Sequence, residues 1–472
     1  MNILFVAAEL APHAKVGGLA DVMAALPQAL AKAGHGVSLV VPLHRGLRRS
    51  GEFRQTEREI EVPGVGEGRR ARIWEGERGG VSLFALERDD YFDRAQLYGE
   101  GGVDYPDSLE RFSFLARGAV ELARYVEPTP EIIQVNDWHV GLVPAYVKAL
   151  GLPIRTVCTV HNLGYQGEFP AEDFRRVGLP EGVFRPEGVE FYGKMNFLKG
   201  AIAIADAVTT VSPSYAREIQ AEERGHGLHE VLREHGGKLN GILNGIDMVE
   251  WNPATDGALK KNFKVGSMAG RVECRAALEK EMGIEPANGR PIFGMVTRLT
   301  REKGVDLVWA GAEELARRGG RLVVLGAGDP ALEEEGKRLA QLHPKRVAVR
   351  LGYDEGLARR IFAGADFFLM PSRSEPCGLT QMYAMRYGAI PVVGNVGGLR
   401  DTVEEWDGKT KKGTGFLFVP TAEGLTGGLD RALAIWDEPA MMKAARRNGM
   451  SKDWSWGAAV PSYEKVYRSL TS

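Results

Sequence analysis

Short apolar runs recur along this chain, and stretches of helical periodicity separate them. Ile3-Leu4-Phe5-Val6-Ala7-Ala8 comes first, and the Ala-rich, mostly apolar segment from about Leu19 to Ala33 predicts a helix behind it. Val37-Ser38-Leu39-Val40-Val41, Val81-Ser82-Leu83-Phe84-Ala85, Ile132-Ile133-Gln134-Val135, Thr156-Val157-Cys158-Thr159-Val160 and Ala207-Val208-Thr209-Thr210-Val211 predict further strands. A polar, Gly-rich stretch from Glu222 to Asn244 follows. A second series opens with Ile292-Phe293-Gly294-Met295-Val296. It continues through Arg321-Leu322-Val323-Val324-Leu325, Val347-Ala348-Val349, Asp366-Phe367-Phe368-Leu369-Met370 and Ile390-Pro391-Val392-Val393. Alternating strands and helices predict an α/β fold with parallel, helix-covered sheets. Each half is expected to form one open, doubly wound sheet with ligand groups at the carboxyl ends of its strands. Two such sheets facing across a cleft would form the substrate site.

Composition narrows the function. The chain has 472 residues, is 44% hydrophobic and carries a formal net charge of −2. That supports two or three domains with sizeable cores and gives no pull toward nucleic acid. Cys158, Cys274 and Cys377 are widely spaced and no Cys-x-x-Cys occurs, so neither a zinc knuckle nor a disulfide framework is suggested. The first residues show no leader pattern, and no apolar run approaches the ~18–20 residues of a membrane helix. A cytoplasmic location is the expectation.

Six turns carry chemistry. Lys15-Val16-Gly17-Gly18-Leu19-Ala20-Asp21 lies between the first strand and first helix. Glycines at a helix N-terminus let backbone N–H groups approach an anion, and Lys15 adds a point charge. The turn suits a phosphate or a sugar hydroxyl, or it serves α/β packing alone. Arg298 and Lys303, in Val296-Thr297-Arg298-Leu299-Thr300-Arg301-Glu302-Lys303-Gly304, put two cations at a strand–helix turn. They suit a diphosphate, or they form a solvated basic turn. Glu375, in Pro371-Ser372-Arg373-Ser374-Glu375-Pro376-Cys377-Gly378-Leu379-Thr380, could grip sugar hydroxyls or meet a helix dipole. Gly397-Gly398 echoes Gly17-Gly18. Asn136-Asp137-Trp138-His139 and His161-Asn162 place polar groups after consecutive first-half strands, at the expected cleft rim.

Other motifs fail. Gly326-Ala327-Gly328-Asp329-Pro330-Ala331 fits a dinucleotide fingerprint, yet Pro330 falls inside it and the acidic ribose partner is missing. His226, His229 and His235 do not make His-Glu-x-x-His, and no Asp-x-Asp occurs, which disfavours a metal.

Taken together, these segments closely resemble the bacterial glycogen synthases and plant starch synthases, glycosyltransferase family five. The resemblance runs from Lys15 to Trp456 and includes Tyr105-Pro106-Asp107, His161-Asn162-Leu163-Gly164-Tyr165-Gln166-Gly167, Asn196-Phe197-Leu198-Lys199-Gly200, Thr210-Val211-Ser212-Pro213, Gly241-Ile242-Leu243-Asn244-Gly245-Ile246-Asp247 and Glu375-Pro376-Cys377-Gly378-Leu379-Thr380-Gln381. It implies the GT-B fold, two Rossmann-like doubly wound domains facing across a deep cleft. The domains would be residues 1–243 with 456–472, whose helix returns to the first domain, and residues 244–455. It also implies transfer of glucose from ADP-glucose to the non-reducing end of an α-1,4-glucan, with retention and with neither metal nor cofactor.

By the same resemblance, Arg298 and Lys303 would hold the diphosphate. Gly18 would offer its N–H to the phosphates, with Lys15, Gly17 and Asp21 beside it. Tyr353 would stack on adenine. Glu375 would hold glucose hydroxyls, with Asn162, Asn244, Gly397 and Gly398 completing the pocket and Cys377, Gly378, Leu379 and Thr380 close by. His161 and Asp137 would flank the reacting carbon and the acceptor. Three departures stand out. Tyr383 occupies the place of the second Glu of Glu-x7-Glu found in many related retaining transferases, Val396 replaces a Thr, and Ala95-Gln96 replaces Pro-Gly. UDP-glucose as donor, a dinucleotide-dependent oxidoreductase and a non-catalytic glucan binder stand as alternatives.

Overall fold

The computed structural model describes residues 1–64, 69–286 and 289–471. The chain divides into two compact units, Met1–Gly245 with Trp456–Ser472, and Ile246–Ser455. The first boundary thus falls between residues 245 and 246, two residues beyond the sequence-based expectation.

A nine-stranded sheet organises the first unit. The chain runs outward from Asn2–Val6 through Gly36–Pro42 to Val81–Glu87. It then crosses to the other flank of Asn2–Val6 and continues through Ile132–Asn136, Arg155–Val160, Ala207–Thr210 and Leu239–Gly241. All these neighbours pair in parallel. The winding reverses between Asn2–Val6 and Ile132–Asn136, and a crevice opens at the carboxyl ends of such a pair. Arg70–Arg78 and Arg54–Glu61 extend the far edge in antiparallel fashion. The sequence reading missed this hairpin, because Arg54–Glu61 is mostly charged and buries only Ile60. The polar stretch from Glu222 to Asn244 likewise contains the helix His229–Glu234 and the edge strand Leu239–Gly241.

The helix Gly18–Lys32 buries Leu19, Val22, Met23, Leu26 and Leu30, a spacing that lines one helical face. They share a core with Phe5 and Leu39 of the sheet and with Val460, Tyr463 and Tyr467 of the final helix, Trp456–Thr471. That helix is also tied down by polar contacts. Glu464 Oε1 lies 3.0 Å from His35 Nε2, and the Tyr467 hydroxyl donates to Gln134 inside the sheet.

Six parallel strands form the second unit's sheet, in the order Val347–Leu351, Arg321–Gly326, Ile292–Val296, Phe367–Met370, Ile390–Gly394 and Phe416–Phe418. Its winding reverses between Ile292–Val296 and Phe367–Met370. The turns that leave these two strands carry Arg298, Lys303 and Glu375.

Candidate functional site

In the second unit the sequence makes the site turns rigid before it makes them reactive. Leu299 is fully buried and donates its N–H to Ala327 O at 2.9 Å, while Asp329 N–H donates to Leu299 O at 2.8 Å. The close approach needs glycine. A Cβ on Gly326 would lie 1.9 Å from Thr297 O, and one on Gly328 would lie 2.5 Å from Leu299 O. The Gly326-Ala327-Gly328 segment therefore clamps the Arg298 turn. With Leu299 anchored, Arg298 is exposed at the strand end.

Gly304 has φ +70, and a Cβ there would sit 2.1 Å from Pro371 O, so the two site turns touch through it. Arg373 locks them together, donating its N–H to Glu302 O at 2.8 Å and pairing with Asp306 at 2.7 Å. That guanidinium holds the Asp306 carboxyl below its usual range. On this scaffold Lys303 Nζ lies 2.8 Å from Glu375 Oε2, which also accepts from Ser372 Oγ at 3.2 Å. Glu375 is buried, and its carbonyl accepts from Gly398 N–H at 3.0 Å.

Gly398 must be glycine, since its Cβ would come 2.2 Å from Cys377 O. Gly378, at φ +73, turns the chain into the helix Thr380–Arg386 just beyond Leu379. The Gln381 amide binds Cys377 O and Gly378 O, each at 3.0 Å, and Thr402 Oγ1 at 3.1 Å, while Thr380 Oγ1 reaches Met370 Sδ. Ser372, Arg373 and Gln381 thus support the site without having been singled out in the sequence. Gly397 opens the helix Gly397–Thr402, whose N-cap residue Val396 makes no side-chain cap bond. Tyr353 follows Val347–Leu351 and is 78% exposed, its hydroxyl donating to Glu355 at 3.3 Å. Tyr383 stacks on Trp251 at 3.8 Å.

The first unit's cluster forms at its own winding reversal. Asp137 has φ 61 and ψ −177. For a residue with a side chain this conformation costs about 1–3 kcal/mol and persists only where its surroundings enforce it. Here Asp137 N–H donates to Thr159 O, and Asp137 Oδ1 accepts His161 N–H at 2.7 Å. Burial pushes the Asp137 carboxyl up to about 7, against the hydrogen bonds from His161 and Asn162 N–H. Asn136 Nδ2 donates to Val6 O, which turns Asn136 Oδ1 toward His161 Nε2 at 3.0 Å. His161 therefore carries its proton on Nε2 and keeps a buried Nδ1 lone pair with no partner among the described residues. Burial lowers its pKa to about 4, so the ring is neutral at pH 7.

Lys15 pairs with Asp21 at 2.6 Å on an exposed loop. The N–H groups of Val16 and Gly17 donate to Glu9 Oε2 at 2.8 and 3.2 Å, so the Gly17 donor is taken by the protein itself. Gly18 starts the helix, where first-turn N–H groups lack intrahelical acceptors. Asn162 Oδ1 accepts Gly164 N–H at 2.9 Å, and Asn244 is buried with its Oδ1 unpartnered among the described residues.

His139 departs from the sequence-based expectation. It is packed between Tyr98, at 4.5 Å, and Trp138, at 4.1 Å, rather than lying at a rim. Burial lowers its pKa to about 3, so it serves as a neutral ring of the aromatic core.

Chemically, the second unit offers an exposed guanidinium and an ammonium–carboxylate pair, which suit a diphosphate and a polyhydroxyl group. The first offers a carboxyl that titrates near neutrality and a neutral imidazole. Among the described residues, no group of three or more His, Cys, Asp or Glu side chains is placed to hold a metal ion, and no helix is long and apolar enough to cross a membrane.

A family model described as the starch synthase catalytic domain matches residues 2–234, and one described as glycosyl transferases group 1 matches residues 279–449. The chain is 46% identical over 480 residues to a glycogen synthase of Anaeromyxobacter dehalogenans strain 2CP-C, with 100% of both chains covered. It is 43% identical to a glycogen synthase of Syntrophotalea carbinolica, covering 99% of this chain and 98% of that one. Among solved structures, the catalytic domain of starch synthase IV from Arabidopsis thaliana, bound to ADP and acarbose, superposes with a TM-score of 0.91 at 37% identity. That match covers 100% of this chain and 99% of the other. A sucrose-phosphate synthase from Thermosynechococcus elongatus, at 19% identity and a TM-score of 0.60, agrees in fold alone.

Proposed function

The chain belongs to the glycogen and starch synthase family of glycosyltransferases, and on that premise we propose that it moves glucose from ADP-glucose to the non-reducing end of an α-1,4-glucan, with retention and without a metal. Its two Rossmann-like α/β units are those of the GT-B class. The observation that carries the proposal is the Lys303–Glu375 pair at the carboxyl ends of the strands where the second sheet reverses its winding. A cation and an acceptor 2.8 Å apart suit the two halves of a sugar nucleotide, phosphate on one side and hydroxyls on the other. The ADP held by the Arabidopsis domain supports adenine as the base.

In this reading Arg298 and Lys303 bind the diphosphate and stabilise the charge that grows on it as the sugar C1–O bond breaks. Glu375 orients the glucose hydroxyls, helped by the turns at Cys377–Thr380 and Gly397–Gly398. Tyr353 stacks on the base. Lys15 and Gly18 serve the phosphates, with Asp21 holding the Lys15 ammonium, and Asn162 and Asn244 serve the sugar. The neutral His161, through Nδ1, accepts a hydroxyl proton in a hydrogen bond, and Asp137 orders the segment that bears it.

Retention by double displacement needs a carboxylate beneath the opposite sugar face. Glu375 is engaged by Lys303 and Ser372, which favours same-face attack. The new C1–O bond then forms on the side that the phosphate oxygen leaves, and that oxygen takes the acceptor's proton.

The test is product analysis. ADP-glucose and a short maltooligosaccharide should give ADP and a chain longer by one glucose, with an α-linkage by NMR. A β-linked product, or free glucose alone, would contradict the proposal.

A further inference from the structure

The loop Lys15–Gly18 is exposed throughout, and Val16 is 61% exposed. A Cβ built on Gly17 would meet nothing within 4 Å. From inside, one carboxylate holds two of its N–H groups, while Lys15 pairs with Asp21. Glu9 is buried three residues beyond the strand Asn2–Val6. Its Oε2 accepts both the Val16 and the Gly17 N–H, and its Oε1 accepts the Tyr98 hydroxyl at 2.7 Å.

Tyr98 is itself fixed. Its ring stacks on His139, and the fully buried Arg111 donates to Leu97 O at 2.7 Å and to Tyr91 O at 2.8 Å, pinning the segment that bears it. A chain of contacts thus runs from Arg111 through Leu97 and Tyr98 to Glu9, and from Glu9 to the loop. The anion that a Gly-Gly helix start attracts is, for two of its donors, supplied by the protein. Gly18, which opens the helix, and Lys15, paired with Asp21, are exposed beside them.

We propose that Glu9 is a positioning residue: by binding the Val16 and Gly17 N–H groups from within, it fixes the loop so that Gly18 and Lys15 meet the donor's phosphates. This rests on the reading of the chain as a nucleotide-sugar transferase. Glu9 touches no reacting atom. It shapes the binding of the donor and leaves the glucan acceptor alone. Burial raises its carboxyl above the usual range, with the three hydrogen bonds acting in the opposite direction.

The test compares Glu9→Met, which keeps volume but removes the acceptors, with Glu9→Gln, which keeps an oxygen for the loop and an amide for the Tyr98 hydroxyl to accept from. Glu9→Met should raise KM for ADP-glucose about 10- to 100-fold, as loss of charge-assisted hydrogen bonds predicts, with kcat and the KM for glycogen close to wild type. Hydrogen exchange at the Val16 and Gly17 amides should speed up by about the same factor. Glu9→Gln should restore both. A Met variant with wild-type exchange and wild-type KM overturns the inference. So does an equal loss of kcat in both variants with KM unmoved, which would put the charge in the chemistry. If Glu9→Met does not fold, Tyr98→Phe takes its place, with a smaller KM rise expected and an unchanged KM overturning the inference. Wild-type protein inert with every nucleotide-glucose would bring down the proposed function and this role together. An active wild type with an unaffected variant brings down this role alone.

Discussion

Lys303 Nζ stands 2.8 Å from Glu375 Oε2, joining the turns that leave two adjacent parallel strands. The two side chains are 13% and 11% exposed, so little water screens the pair. A diphosphate that recruits Lys303 must compete with Glu375, and the freed carboxylate then becomes available to sugar hydroxyls. Glu375→Gln should therefore lower kcat by about 100-fold while ADP binds at least as tightly as to wild type, because a competing negative charge is gone. Turnover near wild type, or much weaker ADP binding, would remove Glu375 from this role.

Val396 offers a gain of stability. It caps the helix Gly397–Thr402 with extended backbone, φ −139 and ψ 150, but has no side-chain oxygen to accept a first-turn N–H. Val396→Thr supplies one at similar volume. An N-cap hydroxyl is worth about 0.5–2 kcal/mol, so the variant should melt a few degrees higher. An unchanged or lower melting temperature would mean that burying the hydroxyl costs as much as the cap contributes.

Asp137 links activity to pH. Its carboxyl is pushed up to about 7 by burial, so its ionised fraction rises across neutrality. If the anion is the working form, kcat/KM should climb between about pH 6 and pH 8. Asp137→Asn should be about 100-fold slower and flat over that range. An Asn variant with the wild-type pH profile would place the titration elsewhere.

Stability should respond to acid through three histidines. His44, His139 and His161 are buried, and burial lowers their pKa values to about 4, 3 and 4. Each depressed value means that the unfolded chain binds protons the folded one refuses. Stability is therefore intact above the unfolded value of about 6.5 and is lost as pH falls toward about 4. Asp137 works in the opposite direction, since its raised pKa lowers stability as pH rises from about 4 to 7. His139→Phe removes one histidine within an aromatic stack, so melting curves for the variant should lose less between about pH 7 and pH 5 than those of wild type. Equal losses would show that His139 takes up its proton in the folded chain as readily as in the unfolded one.

The alternation of apolar runs with helical periodicity made the two doubly wound sheets legible, because buried parallel strands are almost continuously apolar. The site turns were legible for a related reason. Glycines at strand ends mark positions where backbone must come close, as Gly304 and Gly398 illustrate, and charges beside them mark where a ligand is expected. What stayed hidden was set by distant contacts. Glu9 gains its role from Tyr98, which is 89 residues away. His139 looks polar in sequence and is buried by Tyr98, Phe112 and Trp138. The hairpin of Arg54–Glu61 and Arg70–Arg78 is an edge, where one apolar residue in eight suffices for the first strand. The Gly326-Ala327-Gly328 signature was weighed only as a dinucleotide fingerprint and set aside, and its glycines instead allow close approach to the Arg298 turn.

The central claim is that the chain is an ADP-glucose-dependent, metal-independent glucan synthase. The most direct measurement is nucleoside diphosphate release from ADP-glucose or UDP-glucose, with glycogen and EDTA present. Rapid release from ADP-glucose, with little from UDP-glucose, is the predicted result. Release from UDP-glucose alone, or from neither, would contradict it.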